Sequence, residues 1–232
     1  MKRQTAILGA PGAGKGTQAQ QVCAQLNLEH LSTGDLLRAA VAAGSSAGLQ
    51  AKNFMDAGNL VPDEVVFGVL FERLGNESSG TAKSDGYMLD GFPRNRVQAE
   101  ELDRRLSEAA PSSQAQTLDV VVDICVPDER IVARLTGRRI CKGCGRNYHV
   151  EFVKPKQDGV CDDCGGELYQ RSDDTESVVM ERLSVYHEQT APLEVYYKEQ
   201  GILVTVDGDR AVETVTQAVL DALSGNNVAG LS

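Results

Sequence analysis

Gly9-Ala-Pro-Gly-Ala-Gly-Lys-Gly-Thr17 comes directly after a short apolar run, Thr5–Leu8, and its reading sets the frame for the rest of the chain. Glycine is needed here because the loop must turn its backbone N–H groups inward around phosphate oxygens, where side chains would block the approach. Lys15 adds a point charge for the outer phosphates. Gln18–Leu26 has helix-forming composition, so the positive end of that helix faces the same phosphates. Strand, loop and helix together predict a nucleotide-phosphate site. Gly16 stands where Ser or Thr commonly meets magnesium, and Thr17 follows one residue later.

Working outward, apolar β-rich runs recur at Leu28–Leu31, Tyr87–Leu89, Leu118–Val126 and Ile202–Val206, separated by segments with helical spacing or capping signals. Such alternation predicts a parallel sheet covered by helices. Glu176–Gln200 reads as a long helical segment, with Val179, Leu183 and Tyr186 spaced by four and three, and Pro192 is expected to kink or break it. Ala211–Leu223 supplies a terminal helix and Gly225–Ser232 a frayed tail. Gly75–Gly86 and Ala109–Gln116 read as surface loops.

At 232 residues the chain can bury one substantial core with two excursions. No run of about 18 apolar residues occurs, and Met-Lys-Arg-Gln leads at once into a strand rather than a cleavable apolar region, so a soluble, cytoplasmic protein is expected. A formal charge of −10 argues against nucleic acid and anionic membrane as partners, since either polyanion is repelled overall. Six cysteines are present, and four form two pairs, Cys141-x-x-Cys144 and Cys161-x-x-Cys164, with sixteen residues between them. This is a tetrathiolate spacing for structural zinc, although such sites also accept iron or cobalt. Each pair ends in Cys-Gly, which suits a tight knuckle around a metal. His149 is an alternative ligand beside a set that four thiolates already complete; like His30 and His187 it is expected to pack or hydrogen-bond. Cys23 and Cys125 lie in apolar contexts and are expected as buried thiols.

Beyond the phosphate loop come Leu31-Ser-Thr-Gly-Asp-Leu-Leu-Arg38, Asp90-Gly-Phe-Pro-Arg94 with Gln98, Gly137-Arg-Arg139, and Arg171-Ser-Asp-Asp174 with Arg182. In that order and spacing, from about Arg3 to Leu223, the chain resembles adenylate kinases with a long, zinc-binding lid. The resemblance implies a P-loop-type five-stranded parallel sheet flanked by helices, with a helical AMP-binding flap and a small zinc lid inserted. Residues 1–31, 62–136 and 175–232 would form the core, 32–61 the monophosphate-binding flap and 137–174 the lid. It also implies reversible transfer of the terminal phosphoryl group of ATP to AMP, giving two ADP, with Mg2+, by direct in-line transfer in a monomer.

Chemistry supports the pattern independently. Up to five phosphates meet in one site during such a transfer, so fixed cations must offset their charge. Arginine suits the task because its planar fork binds phosphate oxygens in pairs and stays charged. By resemblance, Arg38 and Arg94 hold the AMP phosphate, while Arg134, Arg138, Arg171 and Arg182 close over the transferring group. Arg139 reads as structural or surface charge. Asp90 ends an apolar strand and is expected to hold magnesium, with a turn cap beside Gly91 as the alternative. Asp173 and Asp174 read as a helix N-cap, a lid hinge, or both.

The resemblance further places Gly12, Ala13, Gly14, Lys15, Gly16, Thr17, Arg134, Arg138, Asn147, Tyr148 and Arg210 at ATP. It places Thr33, Arg38, Asn59, Leu60, Val61, Gly91, Phe92, Pro93, Arg94, Gln98, Arg171 and Arg182 at AMP. Asn95 departs from the Thr common in adenylate kinases and leans toward the uridylate–cytidylate kinases. Thr33, Gln98 and the cysteine-bearing lid lean toward AMP. A nucleotide-binding regulator without turnover is the non-enzyme alternative, opposed by the retention of Lys15, Asp90 and the arginines.

Overall fold

A computed structural model describes residues 3–77, 84–109 and 117–225. Strand β1 (Arg3–Leu8) leads through the phosphate loop into helix α1 (Lys15–Leu26), then β2 (Glu29–Ser32). Three helices follow, α2 (Thr33–Ala42), α3 (Ser46–Ala57) and α4 (Asp63–Glu77), before β3 (Gly86–Asp90), α5 (Arg96–Ala109), β4 (Val120–Cys125) and α6 (Asp128–Thr136). Three short strands, β5 (Arg138–Cys141), β6 (Asn147–His149) and β7 (Leu168–Tyr169), precede a 3-10 turn at Ser172–Asp174. The chain closes with α7 (Glu176–Val185), a π turn at Tyr186–Thr190, α8 (Leu193–Glu199), β8 (Leu203–Asp207) and α9 (Val212–Leu223). No helix among the described residues is long and apolar enough to cross a membrane.

The five-stranded sheet runs β2-β3-β1-β4-β8, every neighbouring pair parallel. Its strands carry apolar residues toward both faces of the sheet, because both faces are covered. Ala6, Leu8, Leu89 and Val121 point to one face, where Leu70 of α4, Ala99 and Leu102 of α5 and Tyr197 of α8 meet them. Ile7, Met88, Val122 and Ile124 point to the other, against Val22 of α1 and Val219 of α9. Fully burying one such Val or Leu contributes about 1.5–3 kcal/mol. From β3 the chain crosses over β1 to β4, so β1 lies where the order of the sheet reverses, and a crevice opens there beyond the carboxyl ends of the strands.

The observed strands sit within one or two residues of the apolar runs. Ser32 ends β2 and also caps α2, its hydroxyl accepting from the Asp35 N–H at 3.3 Å. The expected long helix over 176–200 is broken as Pro192 requires, but the break begins earlier. Ala191 N–H reaches back five residues to Tyr186 O, and Pro192, lacking an N–H, stands at the N-cap of α8. The expected loop at Gly75–Gly86 is shorter than its sequence suggests, because α4 continues to Glu77; an isolated glycine costs a helix only about 1 kcal/mol. Residues 78–83, residues 110–116 of the second loop, and residues 226–232 of the tail lie outside those described.

Candidate functional site

The phosphate loop is shaped by its neighbours. Gly12 has φ +86°, and a Cβ there would lie 2.7 Å from Leu135 Cγ on α6; Gly14 caps α1 at φ +102°. Both positions demand glycine. The first turn of α1 carries no side-chain cap, so its N–H groups and dipole point into the crevice. Lys15 Nζ donates to Gly9 O at 2.7 Å and Ala10 O at 2.8 Å, bringing its charge back over the loop. Burial pulls its pKa from the usual lysine value down to about 8, opposed by the charge of Asp90. Asp90, at the end of β3 and 8 % exposed, faces Gly16, whose Cβ would lie 3.4 Å from Asp90 Oδ2. That oxygen also meets His30 Nε2 at 3.0 Å.

One cleft joins the loop to the rest of the site. Gly9, Lys15, Thr33, Arg38, Asn59, Leu60, Val61, Gly91, Pro93, Arg94, Gln98 and Arg182 all line it. Leu37, Met55, Val66, Tyr186 and Thr190 line it too; these were missed in the sequence, where apolar helical residues read as ordinary core. Phe92 is fully buried behind the wall, edge-on to Phe67 and Phe71. Thr33 Oγ1 donates to Gly91 O at 2.8 Å, and Thr190 Oγ1 to Arg94 O at 2.6 Å, which is what the π turn at Tyr186–Thr190 positions. Arg94 Nε donates to Gly91 O at 2.7 Å and leaves its guanidinium open to the cleft.

Arg38, Arg138, Arg171 and Arg182 gather around Asp35, Asp173 and Asp174. Arg138, on β5, holds the fully buried Asp174 by two bonds, at 2.8 and 2.6 Å, while Arg182 meets Asp173 at 3.0 Å and Asp174 at 3.4 Å. Arg38 pairs with Asp35 at 2.6 Å, and Arg171 stands 3.9 Å from the same carboxylate. Desolvation, then repulsion by Arg38 and Arg138, lowers Arg171 to about 10, so the cluster is cationic at neutral pH. Ser172 Oγ donates to Asp56 on α3 at 3.1 Å. On the far side of the loop, Arg134 of α6 donates to Gly208 O at 3.1 Å and meets Asp209 at 3.0 Å beyond β8; Arg210 is held by Asp207 at 2.7 Å. Gly12, Ala13, Gly14, Gly16 and Thr17 form the loop and the start of α1. Arg139 donates to Arg138 O at 2.7 Å, the structural part expected of it.

The four cysteines converge: their Sγ atoms all lie within 4.8 Å of one another, with Cys141–Cys164 at 3.4 Å and Cys144–Cys161 at 3.6 Å. A tetrahedral Zn–S distance of about 2.3 Å corresponds to S···S of about 3.8 Å, so the donor set fits a closed tetrathiolate site. The two knuckles repeat one geometry. Cys141 N–H donates to Arg146 O and Cys161 N–H to Gly166 O, while Gly145 and Gly165 donate back to the first cysteine of each. Tyr148 is buried, its hydroxyl donating to Cys161 Sγ at 3.4 Å and accepting from Asp162 N–H at 2.7 Å; Asn147 beside it is exposed. His149 is spent elsewhere: Nδ1 accepts from Glu151 and Phe152 N–H, and Nε2 donates to Ala133 O at 3.1 Å. His187 pairs with Asp128 at 2.8 Å. Cys23 is buried, and burial pushes its thiol up to about 12, but Cys125 is exposed, its Sγ donating to Asp123 at 3.1 Å. The buried-thiol expectation fails there because Cys125 is the last residue of β4, where helical cover ends.

Asn95 also has a physical account. It caps α5, its Oδ1 accepting from Gln98 N–H at 2.8 Å, and donates to Asp63 at 3.0 Å.

A profile of the adenylate kinase family matches residues 7–202. The adenylate kinase of Carboxydothermus hydrogenoformans is 49% identical over 217 residues, covering 94% of this chain and 97% of that protein. That of Syntrophobacter fumaroxidans is 51% identical over 209 residues, covering 90% and 94%, and that of Methanothrix thermoacetophila 47% over 218, covering 94% and 97%. With the phosphate loop, the arginine cluster and the four-cysteine knuckles in one order along a doubly covered parallel sheet, the chain belongs to the adenylate kinase family, the nucleoside monophosphate kinases that exchange a phosphoryl group between ATP and AMP.

Proposed function

We propose that this chain transfers the terminal phosphoryl group of ATP directly to AMP, in line and with no covalent enzyme intermediate, in support of adenine nucleotide homeostasis. One observation carries the reading: Lys15, Arg38, Arg94 and Arg182 line a single cleft with Thr33 and Gln98. Lys15 and the loop N–H groups bind the donor phosphates. Arg38 and Arg94 hold the AMP phosphate, and Arg138, Arg171 and Arg182 neutralise charge on the transferring group; one well-placed arginine is worth roughly 10³–10⁵ in rate. The AMP base lies against Thr33, Asn59, Leu60, Val61 and Gln98. Because that pocket sits on the β2–β3 side of β1, the donor base falls on the β4–β8 side, between Arg134 and Arg210.

Asp90, beside Gly16, would hold the Mg2+ that accompanies ATP, directly or through water, and the ion would supply positive charge against the phosphates. Residues 32–61 act as a mobile flap and 137–174 as a lid, with residues 1–31, 62–136 and 175–232 as the core. Closure brings Asn147 to the donor, excludes water and suppresses ATP hydrolysis. Tyr148 supports the lid from within by buttressing Cys161. Zinc held by Cys141, Cys144, Cys161 and Cys164 supplies the folding energy that so small a segment lacks. Four free thiols at a metal site suit a reducing cytoplasm, and the enzyme acts as a monomer.

A coupled phosphotransfer assay with ATP and Mg2+ against AMP, CMP, UMP and GMP tests the acceptor. Strong preference for AMP is expected. Preference for CMP or UMP would overturn the assignment of Thr33 and Gln98.

A further inference from the structure

The amide of Gln98 is held by contacts that admit one orientation. Gln98 is only 1 % exposed, yet it lines the cleft beside Thr33, Val61 and Val66. Its Oε1 accepts from the Arg94 backbone N–H at 2.7 Å, and its Nε2 donates to Asp63 Oδ1 at 2.6 Å. Asn95 closes the ring, donating from Nδ2 to the same Asp63 oxygen at 3.0 Å while its Oδ1 accepts from Gln98 N–H at 2.8 Å. A backbone N–H only donates and a carboxylate oxygen only accepts. Turning the amide over would set N–H against N–H at Arg94 and oxygen against oxygen at Asp63. Two hydrogen bonds, one of them to a charge, oppose that flip.

Held this way, the amide keeps one lone pair on Oε1 and one N–H on Nε2 beyond those its protein partners take. Acceptor and donor then stand in a fixed order. Adenine offers its amino donor next to the N1 acceptor, whereas hypoxanthine and guanine offer the O6 acceptor next to the N1–H donor, the same edge with its order reversed. An amide free to flip would pair with either kind of base. We propose that Asp63, braced by Asn95, is a positioning residue that locks the Gln98 amide and thereby makes the acceptor site select a 6-aminopurine monophosphate over a 6-oxopurine one. Neither Asp63 nor Asn95 lines the cleft, so both act through Gln98. Each stands at a helix start, Asp63 opening α4 and Asn95 capping α5, which fixes the two partners relative to one another. The inference rests on AMP being the acceptor.

The test compares kcat/KM for AMP and IMP in the unmodified enzyme, Asp63→Asn and Asn95→Ala, with KM for ATP and the melting temperature measured alongside. Asparagine keeps the shape at position 63 but offers either donor or acceptor, so the lock is released from that side. The AMP-to-IMP ratio is expected to fall about fivefold, the difference between a charged and a neutral hydrogen bond, with KM for ATP unmoved. Asn95→Ala removes the donor to Asp63 and gives a smaller fall in the same direction. A ratio that stays put, or one that falls only together with ATP binding, overturns the proposal. In the ligand-free protein the Gln98 Nε2 protons should exchange slowly by 15N NMR and faster in Asp63→Asn; equal exchange also counts against the lock. If the unmodified enzyme does not prefer AMP, the acceptor reading itself fails, and that outcome is visible before any variant is made.

Discussion

Replacing Asp174 with alanine removes a carboxylate that is fully buried and that accepts two bonds from Arg138, at 2.8 and 2.6 Å, and a longer one from Arg182 at 3.4 Å. Taking one partner from a buried ion pair costs about 3–5 kcal/mol, chiefly because the other charge is left without compensation. Here the two arginine side chains are 18 % and 20 % exposed and regain some hydration, so about 2–4 kcal/mol is expected. Asp174→Asn keeps the volume and one neutral acceptor, which should recover roughly half of that loss. For a chain of this size about 2–4 °C of melting temperature accompanies each kcal/mol, so Asp174→Ala should melt about 5–15 °C lower. Urea denaturation at fixed zinc, followed by circular dichroism, gives the free energies directly. A loss under about 0.5 kcal/mol for Asp174→Ala, or an asparagine variant weaker than the alanine one, refutes the reasoning.

Four further outcomes follow from particular groups. Lys15 is lowered to about 8 by burial, so kcat/KM for ATP, which reports the free enzyme, should decline as pH rises through about 8, while kcat persists to higher pH because bound phosphates restore the lysine's proton. The same depression has a stability consequence of definite sign: the unfolded chain holds the Lys15 proton longer, so this group's contribution to stability rises with pH from about 8 to the ordinary lysine value, as denaturation at several pH values would show. Tyr197 is fully buried with a hydroxyl that has no hydrogen-bond partner among the described residues, and Tyr197→Phe should stabilise the protein by about 1 kcal/mol in the same urea assay. The proposed zinc site predicts about one equivalent of zinc per chain by a chromophoric chelator, and Cys161→Ser should abolish that binding and lower the melting temperature.

The fold was legible where chemistry restricts residue type most. Only glycine fits φ +86° against Leu135 at position 12, so the phosphate loop announces itself, and with it β1 and α1. Strands covered on both faces carry continuous apolar runs at their centres, which is why all five runs were readable to within two residues. The four thiolates were legible for the same reason, since few residue types bind metal. What escaped depends on neighbours that sequence does not show. The break after α7 begins at Tyr186, well before Pro192, because Thr190 must reach Arg94 O, 96 residues away. Leu37, Met55 and Val66 line the cleft, but their helical spacing is that of any core residue. Cys125 reads as buried until one sees that β4 ends there. Asn95 carried a signal that was present: Asn followed three residues later by Gln is a helix start, and the capping bond to Gln98 N–H explains it without appeal to a pyrimidine acceptor.

The central claim, direct phosphoryl transfer between two nucleotides within one closed cleft, is tested most directly by 31P NMR of the purified protein with ATP, AMP and Mg2+. The account predicts that ATP and AMP signals fall together while ADP rises by two for each ATP consumed, with no inorganic phosphate. Accumulation of inorganic phosphate with AMP unchanged would contradict it.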